Sequence, residues 1–382
     1  MEAIKKNRLA LGAFFFIYGF NFATWTSRIP TIKEVFNLND AQLGSILMIM
    51  PVSSITGLAV SGWMVSKFEN RIPIVASTII LTLSLLFIAS QHSVIMLVVG
   101  IGLFAFFMRI LNISANTQSL YVQKFFNKNI VGSFHGLWSL GGVCGVLFST
   151  LMVKNEIGLF EHFITVSIVT IVMALLGYRF LIQNDKSVSG NKLIFGKPDK
   201  YIMMLGIMVF LAAISEGGMF DWSGVYFKDV LKSDVFTYGY LIFMSCMALS
   251  RFLSDYFLEI IGIRRTYFLS GAFVFLGTLI SVLFPSFYVV LVGFCLIGFG
   301  TAAIFPLTFS MAGKSTKYSP GMAISIVATY STIGFLIGPP LIGYLSYMFS
   351  LRYAFLLLSL MGFLMIPVSK LFFDFQDKQN DS

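Results

Sequence analysis

Glu216 and Arg109 are ionisable side chains set deep within long apolar stretches of a 382-residue chain. A charge in hydrocarbon is costly enough that such a residue faces water or a partner, which makes both candidates for function. At 1.5 Å of rise per residue, each lies about 22 Å from the N-terminal end of its stretch. The two stretches are expected to run in opposite directions, so their depths differ by roughly 14 Å in a layer of about 30 Å. That argues against a direct ion pair. Glu216 can serve as a proton-carrying carboxylate. The competing readings are a structural hydrogen bond to a neighbouring helix, eased by the close-packing Gly217-Gly218, and direct contact with a solute. Arg109 can hold an anionic solute or counter a carboxylate; otherwise it caps carbonyls or snorkels toward the interface. Glu216 and Arg109 are therefore the two candidates for proton coupling.

The elements that must position them are twelve apolar stretches, at 9–30, 41–66, 72–90, 94–120, 131–153, 160–182, 201–226, 236–257, 266–284, 287–313, 321–349 and 353–373. Each is long enough to cross a hydrocarbon core of about 30 Å as a helix. Only 11% of residues are charged and 57% are hydrophobic, whereas a soluble domain carries about 25% charged residues. A soluble enzyme is excluded on that ground. The polar stretch 183–200 reads as a linker between a six-span half at 1–182 and another at 201–382. The expected fold class is an all-α membrane protein with 12 transmembrane helices in two pseudo-symmetric six-helix bundles.

The net charge of +9 is a topology signal. With the N-terminus cytoplasmic, nineteen of the 26 Lys and Arg fall in inside segments, six fall outside, and Arg109 lies within a span. That bias orients both termini to the cytoplasm and removes nucleic acid as a partner. The first stretch is longer than a signal-peptide core and runs on to another span, so it reads as a retained helix. Cys144, Cys246 and Cys295 fall within spans without metal-ligand spacing and read as small packing residues. No phosphate-binding Gly-rich loop, metal cluster or Ser-His-Asp arrangement is present. The chain reads as a protein that is not an enzyme and takes no cofactor, with its energy supplied by an ion gradient or by the solute's own.

The second six stretches repeat the first about 195 residues later. Trp25 matches Trp222, Leu43-Gly44 matches Tyr238-Gly239, and Gly141-x-x-x-Gly145 matches Gly334-x-x-x-Gly338. Arg251-Phe252-Leu253-Ser254-Asp255 followed by Gly262-x-Arg264-Arg265 resembles the loop signature of the major facilitator superfamily, and the likeness covers all twelve spans. The matching first-half loop, Gly62-x-x-x-Ser66-Lys67-x-x-x-Arg71, has Ser66 where that family usually has Asp. The resemblance implies a gate role for Asp255, Arg264 and Arg265, with Lys67 and Arg71 in the weaker N-terminal counterpart. Arg109-x-x-Asn112 partly resembles a span-four motif of proton-coupled antiporters in the same family. Arg28 and Asp221, near the outer ends of symmetry-related spans, are candidates for an outer gate or for exposed interfacial charges.

In that superfamily the cavity is lined by spans one, four, five, seven, eight, ten and eleven. Placed there, Asn21, Trp25, Asn112, Asn116, Gln118, Trp138, Trp222 and Tyr330 form a set of amides and aromatics suited to a small polar solute. Interhelical hydrogen bonding is the alternative for each amide, and a place in the interfacial belt for Trp25 and Trp222. His135 is either a proton relay or a structural histidine. The expected function is secondary active transport of a sugar-like or related metabolite by alternating access, as a proton-coupled symport. The alternative is proton-coupled efflux of a drug or metabolite by antiport. The partners are then the solute, the proton and the lipid bilayer. The expected setting is a bacterial cytoplasmic membrane, with a monomer as the working unit.

Overall fold

The computed structural model describes residues 2–126, 130–183, 185 and 199–380, excluding the side chains at 2, 3, 254, 255, 257, 320, 379 and 380. Most of the expected linker, 183–200, therefore lies outside the described residues. The chain order is α1 (Glu2–Ser27), α2 (Ile29–Val35), α3 (Asp40–Leu47), α4 (Ile49–Lys67), α5 (Arg71–Ala89), α6 (Val94–Gln123), α7 (Val131–Lys154) and α8 (Leu159–Tyr178). It continues with α9 (Lys200–Asp229), α10 (Tyr238–Leu283), α11 (Phe287–Ala302), α12 (Ile304–Ala312), α13 (Pro320–Phe349), α14 (Leu351–Ala354) and α15 (Leu356–Asn380).

Among the described residues there are fifteen helices, more than the twelve expected stretches because several of those are interrupted. Pro51 and Pro306 each sit third in a helix, where the ring cannot donate to the carbonyl four residues back. The breaks fall there, between α3 and α4 and between α11 and α12. Pro339 and Pro340, in contrast, lie within an unbroken α13. Gly262 adopts φ 74° and ψ 164° inside α10, a conformation open to glycine, and turns one span into the next. Among the described residues, eleven segments are long and apolar enough to span a membrane, and Tyr238–Leu253 is a shorter apolar helix. The eighth stretch, expected at 236–257, contains Arg251.

The burial pattern is that of a protein dissolved in lipid. In α8 the exposed face is Ile168, Val169, Val172, Leu175 and Leu176, whereas His162, Ser167 and Thr170 point inward. Every polar backbone group of such a helix is satisfied internally, and its polar side chains find partners only inside the bundle.

The chain forms two compact units, one of Met1–Asn37 with Ile49–Lys192 and one of Leu38–Met48 with Leu193–Ser382. In the first, α1 packs on α7, and in the second α9 packs on α13. Glycines set both contacts. A Cβ at Gly141 would overlap the Phe16 carbonyl, and one at Gly145 would lie 2.6 Å from the Phe20 oxygen. One at Gly334 would lie 2.7 Å from the Phe210 oxygen. The same backbone-on-backbone approach thus recurs 193 to 194 positions later. α3 belongs with the second unit, where Gly44 meets Gly343, Ser45 bonds Tyr344 at 3.1 Å and Ser346 donates to Asp40.

Candidate functional site

Glu216 lies midway along α9, the most buried helix of the second unit. Its partner comes from α10: Arg251 Nη2 donates to Glu216 Oε1 at 3.2 Å. The carboxylate side chain is 6% exposed and the guanidinium 27%, so the pair has one dry member and one partly open one. Glu216 Oε2 is buried and accepts no hydrogen bond from the described residues. Sequence reasoning counted Arg251 among inside-loop charges and missed it as a partner. The signal was available: Glu216 stands 13 residues before the end of α9 and Arg251 stands 13 after the start of α10, which places them at one depth.

A second constellation lies in the first unit. Arg109, on α6, is half-buried and has its Nε buried without an acceptor among the described residues. The Tyr18 hydroxyl of α1 lies close to Arg109 and to the Asn112 side chain one turn along α6. Trp138 of α7 packs against Tyr18 at 5.9 Å and Phe22 at 6.2 Å between ring centroids. Gly57 of α4 makes room for the arginine stem, since a Cβ there would lie 3.1 Å from Arg109 Cβ. Arg109, Asn112 and Trp138 are brought together, and Tyr18 joins them although the sequence analysis did not single it out. A tyrosine in an aromatic-rich first helix carries no distinguishing mark until its neighbours are known.

The remaining amides and aromatics take other places. Asn116 donates to the Asn112 carbonyl at 2.8 Å. Asn21 is fully buried and links α1 to α8 through Thr170 at 3.1 Å. Trp25 and Trp222 are buried, Trp25 against Phe104. Tyr330 is half-buried and lies over Gly206. Gln118 does not stand free toward a solute: its Nε2 donates to Asp185 Oδ2 at 2.8 Å and to the Ile182 carbonyl at 3.1 Å. Asp185 also accepts from the Asn70 amide at 2.9 Å, so one buried carboxylate ties three chain segments together.

Among the gate candidates, Arg28 donates to His162 Nδ1 at 3.0 Å and to the Ile157 carbonyl at 2.7 Å, both within its own unit. Asp221 is half-buried on α9. Arg71 pairs with Glu69 at 2.8 Å and lies over the Tyr178 ring, and Lys67 lies over Trp63. Arg264 pairs with Asp374 and, at 3.1 Å, with Asp377, while Arg265 is exposed. The side chain of Asp255 lies outside the described residues. His135 is exposed, with its ring edge-on to Phe15. Cys246 and Cys295 face each other across α10 and α11 with their sulfurs 2.9 Å apart, and all three cysteines are free thiols. Among the described residues no group of three or more His, Cys, Asp or Glu could hold a metal ion.

Comparison with known proteins agrees with this architecture. The family profile described as Major Facilitator Superfamily matches residues 9–285 and 240–381. An uncharacterized MFS-type transporter of Yersinia pestis is 26% identical over 344 residues, covering 89% of each chain. Membrane protein MosC of Rhizobium meliloti is 27% identical, covering 97% of this chain and 91% of its own. Two solved structures share the fold. A bacterial homologue of the human lysosomal transporter Spinster aligns with a TM-score of 0.77 at 14% identity, over 97% of each chain. The nucleoside transporter NupG aligns at 0.76 and 16% identity, over 98% of this chain and 99% of its own. The eleven membrane-length apolar segments among the described residues, the repeated glycine contacts and these matches lead to one conclusion: the chain belongs to the Major Facilitator Superfamily and is a multi-pass membrane transporter.

Proposed function

We propose that this transporter is a proton-coupled secondary carrier that takes up a small polar solute by alternating access. The observation that carries this reading is the Glu216–Arg251 pair, a buried carboxylate held by a partly exposed guanidinium with one oxygen left over. A proton arriving on the spare oxygen weakens the pair, and the exposed side of Arg251 lets the released cation find other acceptors. Such a two-state ionic contact is what coupling to a proton gradient requires, since a ligand shifts a conformational equilibrium only by its differential affinity for the two states. In this reading Arg109 and its neighbours Asn112, Asn116 and Trp138 supply solute surface in the first unit and half-buried Tyr330 does so in the second, while Asn21, Trp25 and Trp222 are buried within their own units.

In this scheme residues 1–182 and 201–382 are the two moving halves and 183–200 joins them on the cytoplasmic side of a bacterial inner membrane, with a monomer sufficient. Lys67, Arg71, Arg264, Arg265 and Asp255 stand at the inner gate, and Arg28 and Asp221 at the outer end. The deciding experiment is flux in proteoliposomes under an imposed pH gradient. Wild type accumulates solute against its gradient, whereas Glu216→Gln loses accumulation and keeps solute exchange. Equal accumulation by the variant removes the proton role, and flux that runs opposite to the proton assigns antiport.

A further inference from the structure

We infer that the solute carries one negative charge, a carboxylate, and that Arg109 with Tyr18 and Asn112 is the site that holds it. The inference deepens the carrier reading and rests on it. Arg109 is the part of the molecule hardest to explain as scaffold. A buried cation needs a counter-charge or carbonyls to cap, and among the described residues it has no hydrogen-bond acceptor and no carboxylate within 4 Å. The contrast with the other unit is direct, because there Arg251 has Glu216. The neighbour given to Arg109 is a tyrosine hydroxyl, which can donate a further hydrogen bond to an anion and brings no charge of its own.

The donors converge from two helices. Tyr18 lies beside Asn112 and Arg109, so hydroxyl, amide and guanidinium stand within one turn of α6. A guanidinium presents parallel N–H groups that match the two oxygens of a carboxylate. One cation balances one negative charge; a dianion such as a phosphate monoester would keep a charge unpaired in a dry setting. Trp138, half-buried and packed on Tyr18 at 5.9 Å, offers an aromatic edge to the body of the solute. Gly57 keeps α4 clear of the arginine stem. The fitting ligand is an organic monocarboxylate with a compact ring or hydroxylated body.

The test is a thermal-shift and binding series on the full-length purified protein at one pH, without any gradient. The probes are matched acid and neutral pairs: D-gluconate and D-glucitol, D-glucuronate and D-glucose, lactate and 1,2-propanediol, benzoate and benzyl alcohol. At least one acid is expected to raise the melting temperature where its neutral mate does not. Arg109→Gln should weaken that binding by about tenfold to a hundredfold, the range of a charge-assisted pair. Arg109→Lys keeps the charge but loses the fork and should fall between. Tyr18→Phe, which retains the ring packing, should weaken binding by several-fold and guards against a misfolded Arg109 variant. Stabilisation by a neutral mate equal to its acid, retention of acid binding in Arg109→Gln, or no response to any acid overturns the inference. Because binding is read without a gradient, acid binding that survives alongside proton-independent flux would overturn the coupling reading alone.

Discussion

Arg251 of α10 reaches Glu216 of α9 at 3.2 Å, joining two spans at one depth inside the second unit. Removing one partner of a fully buried pair costs about 3–5 kcal/mol, because the survivor keeps its charge without compensation. Here Arg251 is partly exposed, which lowers the expected cost of Arg251→Gln to about 2–3 kcal/mol. Glu216→Gln should cost less, since a neutral amide remains as hydrogen-bond partner and the guanidinium is left on the open side. Thermal unfolding in detergent gives the order. Arg251→Gln more stable than Glu216→Gln would show that the carboxylate is not the dry member of the pair.

The repeat was legible in residues because it is a matter of spacing. The Gly-x-x-x-Gly motifs in the fifth and eleventh stretches meet carbonyls of α1 and α9 at equivalent places, Phe16 and Phe20 in one half and Phe210 in the other. What the sequence could not show is which side chains meet across helices. Arg251 read as a loop charge because it stands near a signature rich in cations. Gln118 read as a cavity residue because an amide in a span fits either role until its acceptor is known, and the acceptor, Asp185, lies 67 positions away beyond the last span of its half. Tyr18 escaped notice for the same reason.

The glycine contacts predict a graded series. Gly141→Ala places a methyl group against the Phe16 carbonyl, a backbone atom that cannot rotate away. Overpacking of this kind costs about 1–3 kcal/mol. Gly334→Ala should fall in the same range, against the Phe210 oxygen at 2.7 Å. Gly132→Ala, which meets nothing within 4 Å, should stay within about 0.5 kcal/mol of wild type. Melting temperatures of the three variants check the order, and equal losses at all three would refute the packing account.

Asp185 offers a test of structure against solute binding. Replacing it by Ala leaves the Asn70 N–H without its acceptor and the Gln118 Nε2 with the Ile182 carbonyl alone, and an orphaned buried donor costs about 1–3 kcal/mol. Asp185→Asn keeps an oxygen for one of the two donors and should lose about half as much. Gln118→Ala should lower the melting temperature while leaving solute affinity within twofold of wild type. A large loss of affinity with an unchanged melting temperature would return Gln118 to the solute surface.

Arg264 separates gating from stability. Its partners Asp374 and Asp377 belong to α15, and its guanidinium also lies over the Phe373 ring at 5.7 Å. The first-half counterpart repeats the ring contact, with Arg71 over Tyr178 at 5.1 Å, 193 and 195 positions earlier for cation and ring. The arginine is 51% exposed, so its ion pairs contribute only about 0–1 kcal/mol to folding. Arg264→Ala should therefore shift the melting temperature little. If the contact closes and opens during transport, the same substitution changes the rate of solute exchange in proteoliposomes by severalfold, and Arg264→Lys, which keeps the charge but not the fork, restores only part of it. An exchange rate unchanged in Arg264→Ala would make the arginine a topology determinant alone.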